Sequence, residues 1–177
     1  MKRTVLIFGL ILGAILATQM VFMVNLVYEN PDFVGNDVVG YAAMVVVFSL
    51  TFFGIRNYRN QQLSGVISLG KAMKTGAAIA FVGSTIYVVV WLFYYYLFVP
   101  DFIDQYTLHV LDEARRNGAT EADLAVKTEE MEQFSALYEN PLFVVLITYS
   151  EVLPVGLMVA FISSLILKRK PETAVAK

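Results

Sequence analysis

The sequence predicts an all-α integral membrane protein: a four-helix bundle with an extracytoplasmic helical hairpin between its third and fourth helices. Three observations predict it. Apolar runs occupy residues 5–28, 38–55, 75–99 and 142–167, and each is long enough at 1.5 Å per residue to cross a hydrocarbon core of roughly 30 Å. The chain is 58% hydrophobic, above the roughly half expected of a soluble domain, and the excess is concentrated in those runs. Cations and acids segregate into alternate connections. Residues 1–177 read as a single membrane domain.

The first run follows Lys2 and Arg3 and continues to about Val27, well past the short core of a cleavable signal, so an uncleaved signal anchor is expected. The next connection contains Glu29, Asp32 and Asp37 without a cation, and its turn-formers are Asn30-Pro31-Asp32 and Gly35-Asn36-Asp37. The second run gives way to a polar connection, residues 56–74, which carries Arg56, Arg59, Lys71 and Lys74. Ser68 is placed to cap a helix from Leu69 to Val99, about 46 Å long, longer than the bilayer core is thick.

Pro100 interrupts that helix. Phe102, Ile103, Tyr106, Val110 and Ala114 then recur at helical spacing up to Gly118, a C-terminal stop. Thr120-Glu121-Ala122-Asp123 has the form of a capping box with Asp in the usual Glu position, and Leu124, Met131, Phe134 and Tyr138 continue the stripe beyond it. Asn140-Pro141 supplies a cap and a first-turn proline for the fourth run. The expected product is a hairpin over residues 100–140, lying on the outer membrane surface with its stripes packed together. Tyr28-Glu29-Asn30-Pro31-Asp32-Phe33 is echoed by Tyr138-Glu139-Asn140-Pro141-Leu142-Phe143. Reuse of one Asn-Pro restart explains this more simply than duplication of a two-span unit.

Orientation follows from Lys and Arg placement. Ten cations fall at the N-terminus, between runs two and three, and after run four, where Lys168, Arg169, Lys170 and Lys177 lie. Only Arg115, Arg116 and Lys127 accompany ten acids in residues 100–140. Both termini are therefore expected in the cytoplasm and the hairpin outside. The absence of cysteine excludes disulfides, thiolate metal sites and cysteine nucleophiles.

Several stretches together resemble a family of bacterial membrane proteins known as domain of unknown function 4199. They are Gly40-Tyr41 through Phe53-Gly54-Ile55-Arg56-Asn57-Tyr58-Arg59, Gly65 through Gly70-Lys71-Ala72, Asn140-Pro141, and Glu151-Val152-Leu153-Pro154-Val155-Gly156-Leu157 with Leu167-Lys168-Arg169-Lys170. The resemblance covers nearly the whole chain. It implies four spans in a bacterial inner membrane and adds no mechanism.

Among candidate functional residues Glu151 comes first. It lies nine positions inside the fourth run, about 13 Å below the outer boundary. An ionised acid there costs at least roughly 2.5–3.5 kcal/mol, so it needs a proton, a partner or water. Pro154 cannot donate to the Ser150 carbonyl, which places a helix break beside the acid, a combination that transporters use. The competing reading is a protonated acid that joins helices as packing glue. By depth, Gln19, Ser49 and Tyr87 are its expected partners in one buried intramembrane polar layer.

Small residues recur every fourth position in three runs: Gly9, Gly13 and Ala17; Gly76, Ala80 and Ser84; Gly156, Ala160 and Ser164. Such faces let helices pack closely in lipid. Glu151 lies roughly opposite Ala160 on a helical wheel, so a homodimer or another membrane partner would cover the second side of this helix.

Gly65-Val66-Ile67-Ser68-Leu69-Gly70-Lys71 matches a phosphate loop in spacing only, because Ala72 stands where Ser or Thr would hold magnesium and no strand precedes it. Arg56, Arg59, Lys71 and Lys74 are expected to meet lipid head groups. Trp91, Phe93, Tyr94, Tyr95, Tyr96 and Phe98 read as an interfacial aromatic belt. His109, with Asp112 and Glu113, reads as a solvated pair, and no metal, cofactor or nucleic acid is expected.

With no nucleophile–base pair or metal set in the spans, an enzyme is not expected. The leading reading is a non-catalytic membrane component acting through helix–helix or partner contacts. The alternative is a small transporter or proton-coupled carrier using Glu151 next to Pro154.

Overall fold

The computed structural model describes residues 1–29 and 37–169. The turn-formers at 30–36, the first copy of the Asn-Pro echo, and Lys170 and Lys177 lie outside the described residues. Seven helices follow in order: α1 (Lys2–Glu29), α2 (Asp37–Phe48), α3 (Leu50–Gln62), α4 (Leu69–Phe98), α5 (Phe102–Arg116), α6 (Glu121–Tyr138) and α7 (Pro141–Leu167). Among the described residues the only strand-like pairing is one antiparallel bridge between Ile67 and Arg169. Four helical segments have the length and apolar character of membrane spans: Lys2–Leu26, Val38–Gln62, Leu69–Phe98 and Pro141–Leu167. The protein is an all-α, multi-pass membrane protein.

Three helix boundaries follow from local chemistry. The backbone N–H of Lys71 donates to the Ser68 hydroxyl at 3.4 Å, and Asn140 Oδ1 accepts from the Leu142 N–H at 3.0 Å, so Ser68 and Asn140 cap α4 and α7. α5 ends in a Schellman turn: Gly118 at φ +83° donates to the Arg115 carbonyl, and Ala119 donates to that of Ala114. At the start of α6, Thr120 and Asp123 form a reciprocal capping box.

The second span departs from expectation twice. It runs to Gln62, past residue 55, because the polar stretch is amphipathic: Ile55 and Tyr58 are buried together with Ile67, Ala72 and Leu167. It also turns tightly at Ser49. The Ser49 hydroxyl donates to the Val46 carbonyl at 2.6 Å, and the Phe52 N–H reaches back only three residues to the Ser49 carbonyl, dividing α2 from α3.

The chain forms two compact units, residues Met1–Val89 with Tyr149–Lys177, and Val90–Thr148. In the first, Val5, Leu12, Leu16, Phe48, Ile79, Ala80 and Val152 form the main core. Glycines set the approach distances. A Cβ at Gly9 would lie 2.6 Å from Val82 Cγ1, and one at Gly13 would lie 3.0 Å from the Gly83 carbonyl. A Cβ at Gly76 would lie 3.0 Å from the Ala160 Cβ, and one at Gly156 would lie 3.0 Å from the Ala80 Cβ and 2.5 Å from Phe48 Cε1. Each four-residue step up α4 therefore meets a four-residue step down α7.

The second unit is built on rings. The Trp91 indole N–H donates to the Tyr138 hydroxyl at 2.9 Å, and both side chains are buried. Phe102 meets Trp91 edge-on at 4.9 Å, and Tyr95 meets Tyr138 at 5.2 Å. α5 and α6 contact each other, with Ile103 and Met131 buried, whereas Tyr106 remains 45% exposed and stacks on Phe102.

Candidate functional site

α7 presents different chemistry to its two sides. Val152, Gly156, Ala160 and Ser164 are buried, while Ser150, Glu151, Pro154, Met158 and Ile162 are exposed. Glu151 is the only acid in the four spans, and it points away from the packed core of its own unit. A full half-turn separates it from Ala160, which is 0% exposed. An ionised carboxylate in a membrane span is costly unless hydrogen bonds, a charge partner or water support it.

The predicted polar layer is not one buried cluster. Glu151 and Ser49 are exposed, and the Ser49 hydroxyl already donates to its own helix. Tyr87 is partly buried and packs against the main core. Gln19 lies on α1 in a shallow groove with Ala14, Ile15, Thr18 and Phe22. Equal depth does not give equal burial: two of the four are exposed and two are partly buried. The predicted helix break also fails, since α7 continues through Pro154 as one helix. Proline removes a single backbone donor, and the packed Val152 and Gly156 on either side hold the helix together.

All nine small residues of the three ladders are buried. Buried hydroxyls on and beside them bond within their own helices in two cases. Ser164 donates to the Ala160 carbonyl at 2.6 Å, and Thr75 donates to that of Lys71 at 2.8 Å. Tyr149 joins α7 to α4: its hydroxyl donates to Thr85 Oγ1 at 2.8 Å, Thr85 donates to the Phe81 carbonyl, and the Tyr149 ring stacks on that of Phe81. Thr51 Oγ1 and Ser84 Oγ are buried without a hydrogen-bond partner among the described residues.

A polar clasp closes the end of the bundle where α1 begins and α7 finishes. The Met1 amine donates to Gln62 Oε1, whose amide nitrogen donates to Thr4 Oγ1 at 3.0 Å. Arg59 donates to the Leu167 carbonyl at 3.2 Å, satisfying a helix C-terminus with a cation. Arg59 is partly buried at this contact, while Arg56, Lys71 and Lys74 are exposed. The glycine-rich segment completes the clasp: Ser64 (φ 52°) and Gly65 (φ 84°) bend the chain so that Ile67 exchanges two backbone bonds with Arg169. The phosphate-loop spacing thus serves as a helix connection.

The clasp and the Trp91–Tyr138 bond have no signal in sequence spacing, because each joins residues far apart in the chain. The aromatic belt splits accordingly. Trp91 and Tyr95 face inward, and Phe93, Tyr96 and Phe98 remain exposed. His109 is partly buried, and among the described residues no three His, Cys, Asp or Glu side chains converge. In the α6 capping box, hydrogen bonds from the Thr120 side chain and backbone hold the Asp123 carboxyl below its ordinary value.

No curated protein and no solved structure matches the chain. A family model does, over residues 6–169, nearly the whole length. The chain therefore belongs to the family described as protein of unknown function (DUF4199).

Proposed function

We propose that this protein is a non-catalytic component of the bacterial inner membrane, acting through helix contacts with a membrane partner on the outward surface of α7. In this reading both termini are cytoplasmic and the α5–α6 hairpin is extracytoplasmic, as the cation bias supports. Arg56, Lys71 and Lys74, exposed beside the clasp, meet anionic head groups. One observation carries the reading: Glu151 is exposed on the side of α7 opposite its close-packed ladder. A helix that uses one face for its own bundle and keeps an acid on the other is suited to a second protein surface.

The carrier reading has less support, because Glu151 faces outward and α7 continues through Pro154. The test is proton flux in proteoliposomes carrying the wild-type protein or Glu151→Gln. The proposal expects both to leak no faster than protein-free vesicles. Flux that requires Glu151 would overturn it.

A further inference from the structure

The end of the bundle closed by the clasp collects positive charge that nothing among the described residues offsets. Lys2 and Arg3 open α1, Lys71 and Lys74 lie in the first turns of α4, and Lys168 and Arg169 follow α7; all six are exposed. None of their side chains makes a hydrogen bond or ion pair among the described residues. Residues 1–28, 38–100 and 152–169 contain no Asp or Glu. The clasp brings these cations together. Gln62 ties α3 to Thr4, Arg59 ties it to the Leu167 carbonyl, and Ile67, two residues before α4, exchanges backbone bonds with Arg169. Folding therefore gathers like charges, and their repulsion opposes the closure that positions them.

We propose that anionic phospholipid is a structural ligand of this end, its phosphate groups lying among the cations of α1, α4 and α7 and holding the clasp closed. The inference rests on the head-group contact assigned above to Arg56, Lys71 and Lys74, and it makes the lipid a component of the fold. A bilayer lipid fits better than a soluble polyanion, because the cations border exposed apolar side chains. Leu6 and Ile7 stand one turn beyond Lys2 and Arg3, and Leu165 and Ile166 come just before Lys168 and Arg169; all four are exposed. A phospholipid satisfies both features in one molecule, with acyl chains on the apolar side chains and phosphate on the cations. A nucleic acid or an acidic protein satisfies only the second. The cations are gathered only in the folded protein, so lipid that binds them there raises stability by mass action.

The test uses the full chain in nanodiscs of phosphatidylcholine alone or with phosphatidylglycerol. Spin-labelled lipids report which head group the protein holds, and circular dichroism follows thermal unfolding. Phosphatidylglycerol is expected to be held about three- to tenfold more strongly than phosphatidylcholine and to raise Tm by about 3–10 °C. Lys71→Gln combined with Arg169→Gln, which leaves the backbone exchange with Ile67 intact, is expected to lose most of both effects. Arg115→Gln with Arg116→Gln removes the same charge from α5 and is expected to lose neither. Emission of Trp91, the only tryptophan, reports whether each variant is folded. No preference for phosphatidylglycerol in the wild type would overturn the head-group contact itself. A preference without a rise in Tm, an equal loss in both variants, or the same rise produced by inorganic phosphate in phosphatidylcholine would overturn the structural role alone. Each of these results leaves the α7 surface to the flux test above.

Discussion

Glu151 and Val152 are consecutive, yet one is exposed and the other is 0% exposed, so a single helical step separates outward-facing from core-facing chemistry. The acid lies outside the packed hydrophobic core, which Val152 joins. Glu151→Leu is accordingly expected to leave thermal unfolding of the purified protein unchanged or to raise stability, within about 1 kcal/mol; a large loss would assign Glu151 to the bundle itself. Asp123 illustrates the opposite case, a residue held by its neighbours. Its folded-state pKa is lowered by the Thr120 hydrogen bonds, so its contribution is fully present above the ordinary value of 3.8 and is lost as pH falls through the lowered value. Thr120→Ala is expected to move the Asp123 titration upward toward 3.8 by carbon-13 NMR and to fray the start of α6. The capping pair was legible in the sequence because its partners are three residues apart.

At the scale of elements, glycines separate into those that the packing needs and those that it does not. A methyl group at Gly156 would be driven against Phe48 and Ala80, whereas one at Gly40 would meet nothing within 4 Å. Gly156→Ala is therefore expected to destabilise by about 1–3 kcal/mol, and Gly40→Ala to be neutral or stabilising by up to about 1 kcal/mol, compared by denaturant titration in detergent. In the ring-built unit, Tyr138→Phe leaves the buried Trp91 N–H without its acceptor, at a cost of about 1–3 kcal/mol. Trp91 emission, which arises in that unit alone, follows this change directly. Helix ends and ladders could be read from sequence, since caps and four-residue repeats are local patterns. The turn at Ser49 could not, because a serine that bonds its own helix looks in sequence like one that faces a neighbour. Nor could the continuation of the second span to Gln62, which depends on Tyr58 finding Ile67 and Leu167.

Over the whole molecule, hydropathy placed the spans well but does not say which polar residues a helix buries. Depth along a helix follows from counting residues at 1.5 Å each, but facing depends on which neighbours the helix acquires. Gln19 and Glu151 thus fall at similar predicted depths and lie on the surfaces of different helices, α1 and α7. Large apolar side chains exposed on all four spans, including Leu10, Val46, Phe81 and Met158, set both at the level of the hydrocarbon and away from bulk water. A spin label attached through Glu151→Cys, with reference labels through Met158→Cys on the same face and Asp123→Cys on α6, tests that placement in liposomes. The label at 151 is predicted to be relaxed strongly by oxygen and barely by a water-soluble nickel complex, as at 158 and opposite to 123. Ready collision of the nickel complex at 151 would show water at the acid and contradict the account.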